Sequence, residues 1–349
     1  MRIGILTFHR CINYGSYWQA RCLVEGLRSR GHDAVLLDHD SQSVRRAEWR
    51  CAFAPALPCR TPRTDLPRYA AKVRRFLRAF DRLPRSPRFP LDDPARASEQ
   101  DLVLIGSDEV WNFRHPWYGS KPIFFGQGLR AGRIAAYAAS FGNHDARDGI
   151  HPDWAARLRG ISAISVRDEN SRELLHAALG EPPALVLDPC LQFPPPPIPV
   201  EPAAQPYAVV YGHSFPGWFA SRVRAWAHRA GRRLLSIGYR NDWADEQRID
   251  AGPEDFRALI AGAAAVATNF FHGCVFALLY EKPFVCAPSG YRLNKVADLT
   301  RRLGAEGNLV HPATPPDAYA ALLATAPDTR TRIAAERARS ERFLASVLE

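Results

Sequence analysis

A run of prolines divides the sequence into two parts. Six of the ten residues in 193–202 (FPPPPIPVEP) are proline, and such a run forms neither a helix nor a central strand. We therefore predict a stiff linker over residues 194–202. The chain has 349 residues, which is enough for a domain on each side of this linker.

Short apolar runs alternate with helical patterns on both sides of the linker. Before it, the pattern predicts strands at 2–8, 34–38, 101–105, 134–138, 161–166 and 184–188, with helices at 16–30 and 69–83. After it, the pattern predicts strands at 207–211, 233–239, 263–267 and 283–287, with helices at 217–230, 253–262, 273–280 and 329–348.

This alternation predicts an α/β fold with two Rossmann-like domains that face a cleft. We assign residues 1–193 to an N-terminal domain with a basic insertion at 41–94, and residues 203–349 to a C-terminal domain. The C-terminal helix is a candidate to pack back on the first domain. Ligands are expected at the carboxyl ends of the strands, near helix N-termini.

Composition excludes several classes of protein. The chain is 46% hydrophobic and 23% charged, as soluble globular proteins are. A transmembrane helix is not expected, because no run of about 18 apolar residues occurs. The N-terminus does not resemble a signal peptide, so we expect a cytoplasmic protein. The seven cysteines are scattered without a CxxC pair, which argues against a disulfide framework and a metal site.

Positive charge is concentrated in one segment. Residues 41–90 hold 13 Lys and Arg against 3 Asp and Glu, but no nucleic-acid-binding motif occurs there, and we expect no nucleic-acid partner. The predicted helix at 69–83 carries an apolar stripe among basic residues. The stripe could lie on anionic lipid at the membrane face or pack on the first domain; its members are Tyr69, Val73, Phe76, Leu77 and Phe80.

Polar loops follow the predicted strands, whereas the P-loop, GxGxxG, GxSxG and HExxH motifs are absent. Each loop by itself is weak evidence for a site. The loops are NYG at 13–15, GSDEVWN at 106–112, YAASFG at 137–142, VRDENS at 166–171, DP at 188–189 and NFFHG at 269–273.

The order and spacing of these six loops, with KPF at 282–284, resemble the polysaccharide pyruvyl transferase family over roughly residues 1–300. The resemblance implies a GT-B-like pair of Rossmann-type domains. It also implies transfer of the enolpyruvyl carbons of phosphoenolpyruvate onto two hydroxyls of a saccharide, giving a cyclic pyruvate ketal and phosphate. The implied partners are a small-molecule donor and a saccharide acceptor, often lipid-linked, with no cofactor besides the co-substrate. No oligomeric state is implied.

The resemblance assigns catalytic roles to two residues. His272 is the candidate general acid/base, with a buried structural histidine as the alternative. Arg167 is the candidate clamp for the anionic donor; alternatively it forms a salt bridge with Asp168 or Glu169.

Further candidates lie in the same loops. Those for donor binding are Asn269, Gly273, Arg292 and Lys295, where plain surface charge is the alternative for Arg292 and Lys295. Those for acceptor binding are Asn13, Tyr14, Ser107, Asp108, Trp111 and Asn112. Trp111 could instead anchor the core and Asp108 could cap a helix.

One position departs from the family pattern. Many members carry an arginine two residues before the histidine, where this chain has Phe270. Three functions therefore stay open: a pyruvyl transferase, a GT-B-like glycosyltransferase or other group transferase with a different donor, and a non-catalytic binding protein.

Overall fold

The computed structural model describes residues 1–56, 60–199, 205–290 and 292–349. Its strands are β1 (Arg2–Leu6), β2 (Asp33–Leu36), β3 (His39–Asp40), β4 (Phe89–Pro90), β5 (Gln100–Ile105), β6 (Ala131–Ala139), β7 (Ala163–Val166), β8 (Ala184–Leu185), β9 (Tyr207–Tyr211), β10 (Arg233–Ile237), β11 (Glu246–Arg248), β12 (Ala265–Thr268) and β13 (Phe284–Cys286). Its helices are α1 (Tyr14–Arg28), α2 (Gln42–Phe53), α3 (Leu66–Phe80), α4 (Pro152–Leu158), α5 (Glu169–Leu179), α6 (Pro189–Gln192), α7 (Gly217–Arg229), α8 (Pro253–Ala261), α9 (Phe271–Leu279), α10 (Leu293–Leu303), α11 (Ala318–Leu322) and α12 (Arg330–Leu348).

The chain forms two compact units. The first unit comprises Met1–Glu48, Arg82–Pro195 and Ile333–Glu349, and the second comprises Trp49–Asp81 and Pro196–Arg332. Of the predicted linker 194–202, residues 200–202 lie outside the described residues.

The first unit is built on a parallel six-stranded sheet in the order β2-β1-β5-β6-β7-β8. Ile5 of β1 lies opposite Leu36 on one side and Leu104 on the other. These apolar runs form central strands because helices cover both faces of a parallel sheet, and the four residues of β1 after Arg2 are all buried. All carboxyl ends of the strands lie at one edge, where loops can carry function.

The second unit repeats this design with a parallel five-stranded sheet in the order β11-β10-β9-β12-β13. Val209 of β9 lies opposite Leu235 and Val266 of its two neighbours. The predicted class, α/β with two Rossmann-like domains, is confirmed. Helix α2 was not predicted, because its sequence has no regular spacing of apolar residues. In the structure only Val44 of this helix is buried.

The basic insertion, predicted over 41–94 in the first domain, is divided between the two units, and only residues 41–48 and 82–94 belong to the first. Residues 49–81 pack in the second unit. Tyr69, Val73 and Phe76 of α3 are each at most 3% exposed, and Arg75 of the same helix pairs with Asp250 and Asp255. An amphipathic pattern indicates that one face of a helix is buried, but it does not identify the surface that buries it.

The last helix packs in the first unit. Residues 333–349 cluster there. The backbone N–H of Leu187 donates to Ser340 Oγ at 2.8 Å, and Arg30 forms an ion pair with Glu341. The chain thus returns to its first sheet after completing the second.

Within the described ranges, no helix is long and apolar enough to cross a membrane. The interpretation of the α3 stripe as a lipid-facing surface is wrong, because four of its five members, Tyr69, Val73, Phe76 and Phe80, are buried within the protein. We expect equal recovery of the protein in the supernatant with anionic and with neutral vesicles. Co-sedimentation at low and high salt measures this, and binding to anionic vesicles that disappears in high salt would contradict it.

Candidate functional site

The first unit holds a buried ionic network at the carboxyl edge of its sheet. Arg167 follows β7, and its side chain is 2% exposed. Its Nη1 donates to Asp188 Oδ2 at 2.9 Å, and its Nη2 donates to Asp108 Oδ1 at 3.2 Å. Burial disfavours the charged guanidinium, but the two carboxylates outweigh this and raise the pKa of Arg167 above its ordinary value.

The network gives Arg167 partners that the sequence did not predict, and its role as a donor clamp stays a prediction. Its guanidinium is engaged by Asp108 and Asp188, so it positions the loops of the first unit. The predicted alternative partner Asp168 instead caps α5, accepting from the N–H of Ser171 at 2.8 Å. The local sequence suggested the adjacent acids Asp168 and Glu169 as partners of Arg167. The actual partners follow β5 and β8, whose carboxyl ends lie at the same edge of the sheet as that of β7.

Helix α1 joins this network at its start. Asn13 caps α1, and its Oδ1 accepts from the N–H groups of Gly15 and Ser16 at 2.8 and 3.2 Å. Ser16 Oγ donates to Asp108 Oδ2 at 2.6 Å. Tyr14 is 1% exposed. The predicted acceptor candidates Asn13 and Asp108 therefore lie in one connected cluster, in which the oxygen of Asn13 is used by its own helix.

The loop after β5 turns sharply because its backbone takes left-handed conformations. Gly106 has φ 110°, and a Cβ there would lie 2.4 Å from the carbonyl oxygen of Tyr137, so only glycine fits. Asp108 has φ 75°, which directs its carboxylate to Arg167. Ser107 is fully buried and donates from Oγ to the carbonyl of Ala138 at 2.9 Å.

Two acceptor candidates of this loop lie in the core. Trp111 is 0% exposed, and its Nε1 donates to the carbonyl of Phe124 at 2.7 Å. Asn112 is 1% exposed and donates to Glu109 and Asn143. The predicted alternative of a core anchor is therefore the correct one for Trp111. Asn112 is wrong as a sugar contact, because it is buried and its amide nitrogen is used within the loop region.

A second buried cluster of the first unit was not predicted. His9 Nε2 lies 3.0 Å from Asp38 Oδ1, and Arg10 Nη2 donates to Asp38 Oδ2 at 2.7 Å. Burial raises the pKa of Asp38, but its hydrogen bonds to His9 and Arg10 prevail and lower it well below its ordinary value. Both elements follow strands, β1 and β2, so the strand-end rule could have found them.

In the second unit, the turn from β12 to α9 positions His272. Thr268 Oγ1 donates to the carbonyl of Tyr211 at 2.7 Å and accepts from the N–H of Phe270 at 3.0 Å. Asn269 Nδ2 donates to the carbonyl of His213 at 2.7 Å. These bonds fix the turn so that His272, 8% exposed, lies in the first turn of α9, where the helix dipole is positive.

Gly273 lets α9 approach the end of β12. A Cβ at this position would lie 2.1 Å from Thr268 Oγ1, closer than any real contact. Gly273→Ala is therefore expected to destabilise the protein by about 1–3 kcal/mol through overpacking, measured by urea unfolding. Gly217→Ala is the control, since nothing lies within 4 Å of its Cβ position. Equal stabilities of the two variants would contradict the packing role of Gly273.

Three rings meet at the carboxyl edge of the second sheet. His213, Tyr239 and Phe270 each come two residues after the end of a strand, respectively β9, β10 and β12, and these strands are neighbours in the order β10-β9-β12. Phe270 lies 5.2 Å from His213 and 5.6 Å from Tyr239, between ring centroids. We call these three residues the aromatic edge.

A guanidinium covers the aromatic edge. Arg292 Cζ lies 4.3 Å from the ring centroid of Phe270, and its Nη1 donates to Ser289 Oγ at 3.1 Å. Lys295, in the first turn of α10, is 8% exposed, so the alternative of a surface charge is wrong for it. Arg292, a predicted donor-binding residue, thus contacts Phe270, which occupies the position where many members of the resembled family carry an arginine.

Solved structures with TM-scores above 0.5 share the fold of this chain. A UDP-N-acetylglucosamine 2-epimerase from Listeria monocytogenes is 9% identical, with a TM-score of 0.54, and the match covers 99% of this chain and 95% of that one. MnaA from S. aureus, solved with UDP, is 10% identical, with a TM-score of 0.52 and coverage of 98% and 94%. An O-GlcNAc transferase from Thermobaculum terrenum is 14% identical, with a TM-score of 0.44, and here the chain spans only 64% of the other protein.

Sequence comparison gives the family. No curated protein matches the chain. The family profile described as polysaccharide pyruvyl transferase matches residues 13–290, a range that contains all six strand-end loops of both units. Because this match spans most of the sequence, the protein is a transferase and belongs to the polysaccharide pyruvyl transferase family.

Proposed function

We propose that this protein forms a cyclic pyruvate ketal on a saccharide, with phosphoenolpyruvate as donor and His272 as general acid/base. The observation that carries the proposal is the β12–α9 turn. It fixes His272 at the positive end of a nine-residue helix, in the same loop as Phe270 and its covering guanidinium from Arg292.

The reaction requires three proton transfers: one to the donor and one from each of two hydroxyls. A proton is added to the methylene carbon of the donor, which becomes the methyl group of the ketal, and C2 takes on oxocarbenium character. One hydroxyl of the saccharide then adds to C2, a second hydroxyl displaces the phosphate, and both hydroxyls lose their protons. An imidazole suits two of these transfers near neutral pH, because it can donate the proton to carbon and then accept one from a hydroxyl. The departing phosphate can accept the proton of the other hydroxyl. His272 is our candidate for these steps.

The donor carries a carboxylate and a phosphate, so its site needs positive charge. Phe270 removes the arginine that many family members have at this position, but Arg292 returns a guanidinium to the same place by stacking on the ring of Phe270. A guanidinium binds carboxylate or phosphate with two parallel hydrogen bonds. The departure at position 270 is therefore compatible with phosphoenolpyruvate as donor.

Ligand-induced stabilisation tests the donor. A ligand at 100 times its dissociation constant adds about 2.7 kcal/mol to the free energy of unfolding. We expect phosphoenolpyruvate to raise the melting temperature, whereas UDP-, dTDP- and GDP-sugars leave it unchanged. Stabilisation by a nucleotide sugar alone would point to a glycosyltransferase.

Turnover tests the reaction. We expect phosphate release from phosphoenolpyruvate only in the presence of a saccharide acceptor, with the ketal detected in the product by mass spectrometry. A panel of membrane and capsular glycans supplies the acceptors. The absence of both binding and turnover of phosphoenolpyruvate with every acceptor would overturn the proposal.

A further inference from the structure

The inserted segment 49–81, which belongs to the second unit, contains a buried lysine. Lys72 of α3 is 3% exposed. Its Nζ donates to the carbonyl of Gly238 at 2.9 Å and lies 4.6 Å from the ring centroid of Tyr239. Lysine is rarely buried in a protein without a specific need for its charge.

Lys72 is the second cation, after Arg292, that lies over a ring of the aromatic edge. Tyr239, over which Lys72 lies, is 5.1 Å from His213, and Arg292 lies over Phe270, the third ring. The two cations therefore contact different members of one ring cluster, at the carboxyl ends of β9, β10 and β12.

The pKa of His213 is lowered by burial and in part by the positive charges of Arg292 and Lys72. Burial, followed by the charges of Arg292 and Lys72, lowers the pKa of His213 to about 4. At neutral pH the ring is therefore uncharged and can offer a single N–H. The positive charges of Lys72 and Arg292 that oppose protonation of His213 would also attract a bound anion, which would relieve the repulsion among these groups.

We propose that Lys72, His213 and Arg292 form the site for the phosphate or carboxylate of a small anionic donor, so that the inserted segment 49–81 completes the donor site of the second unit. The inference rests on the proposed function for the identity of the donor. It adds two residues, Lys72 and His213, to those that the sequence indicated.

Binding of inorganic phosphate and of phosphoenolpyruvate, measured by isothermal titration calorimetry, tests the site. We expect Lys72→Met to weaken both affinities by roughly 10- to 100-fold, the loss typical of one charged hydrogen bond, and Lys72→Arg to recover part of it. Arg74→Met is the matched control, because Arg74 is an exposed cation on the same helix. Affinities of Lys72→Met equal to those of the wild type would overturn the proposal, as would failure of the wild type to bind either anion.

Lys72 also donates to a backbone carbonyl, so the variant could fail to fold. Arg292→Met and His213→Gln then decide, and unchanged phosphate affinity in both would overturn the proposal. Failure of the site and failure of the function are distinguishable. Ketal formation with an unchanged KM for phosphoenolpyruvate in Lys72→Met refutes the site alone. Anion binding that depends on Lys72, without turnover, refutes the function alone.

Discussion

His272→Ala is expected to lower acceptor-dependent phosphate release from phosphoenolpyruvate by about 10²–10⁴-fold, the usual contribution of a positioned general acid/base. The physical reason is that protonation of the donor's methylene carbon needs a proton held at a fixed position, and water supplies none in that geometry. The loss should fall on kcat, with the dissociation constant of the donor changed little. Single-turnover kinetics and calorimetry measure the two effects separately.

Two further variants sharpen this prediction. His272→Gln keeps size and hydrogen bonding but cannot donate and accept protons at neutral pH, so it should lose as much activity as the alanine variant. His228→Gln, at an exposed histidine of α7, should retain full activity. Retention of wild-type turnover in His272→Gln would show that the imidazole takes no part in proton transfer.

Arg167→Met is expected to lower the free energy of unfolding by about 3–5 kcal/mol, because it leaves two buried carboxylates without their counter-charge. Asp188 has 0% of its side chain exposed and Asp108 has 10%, so water cannot replace the guanidinium. Chemical denaturation monitored by tryptophan fluorescence measures the change.

The companion variants identify the cause. In Arg167→Met/Asp188→Asn, one of the two stranded charges is also removed, so part of the stability should return. Arg172→Met changes a half-exposed arginine on α5 whose partner Glu169 is also exposed, and it should stay within about 0.5 kcal/mol of the wild type. A similar small loss in Arg167→Met would mean that the network does not hold the loops of the first unit.

The sequence determined the features that depend on neighbouring residues. The apolar runs fixed which segments are strands, and the polar residues directly after them fixed which loops lie at the carboxyl edges. His272 in the turn before α9 and Asn13 at the start of α1 could be placed for this reason. Strand period and helix capping are local properties, so the printed residues contain what is needed to predict them.

The tertiary structure decided which of these residues meet. Arg167 was predicted to clamp the donor or to pair with the acids next to it in sequence. It pairs with Asp108 and Asp188, because the parallel strands β5, β7 and β8 end at the same edge of the sheet. Trp111 was expected at a ligand and lies in the core, because a motif does not state which side of its loop is covered. In the sequence, Lys72 is one of several basic residues in a basic helix. Only the packing of α3 in the second unit shows that this lysine is buried. An amphipathic pattern states that a face is buried, whereas the surface that buries it is set by contacts between distant parts of the chain.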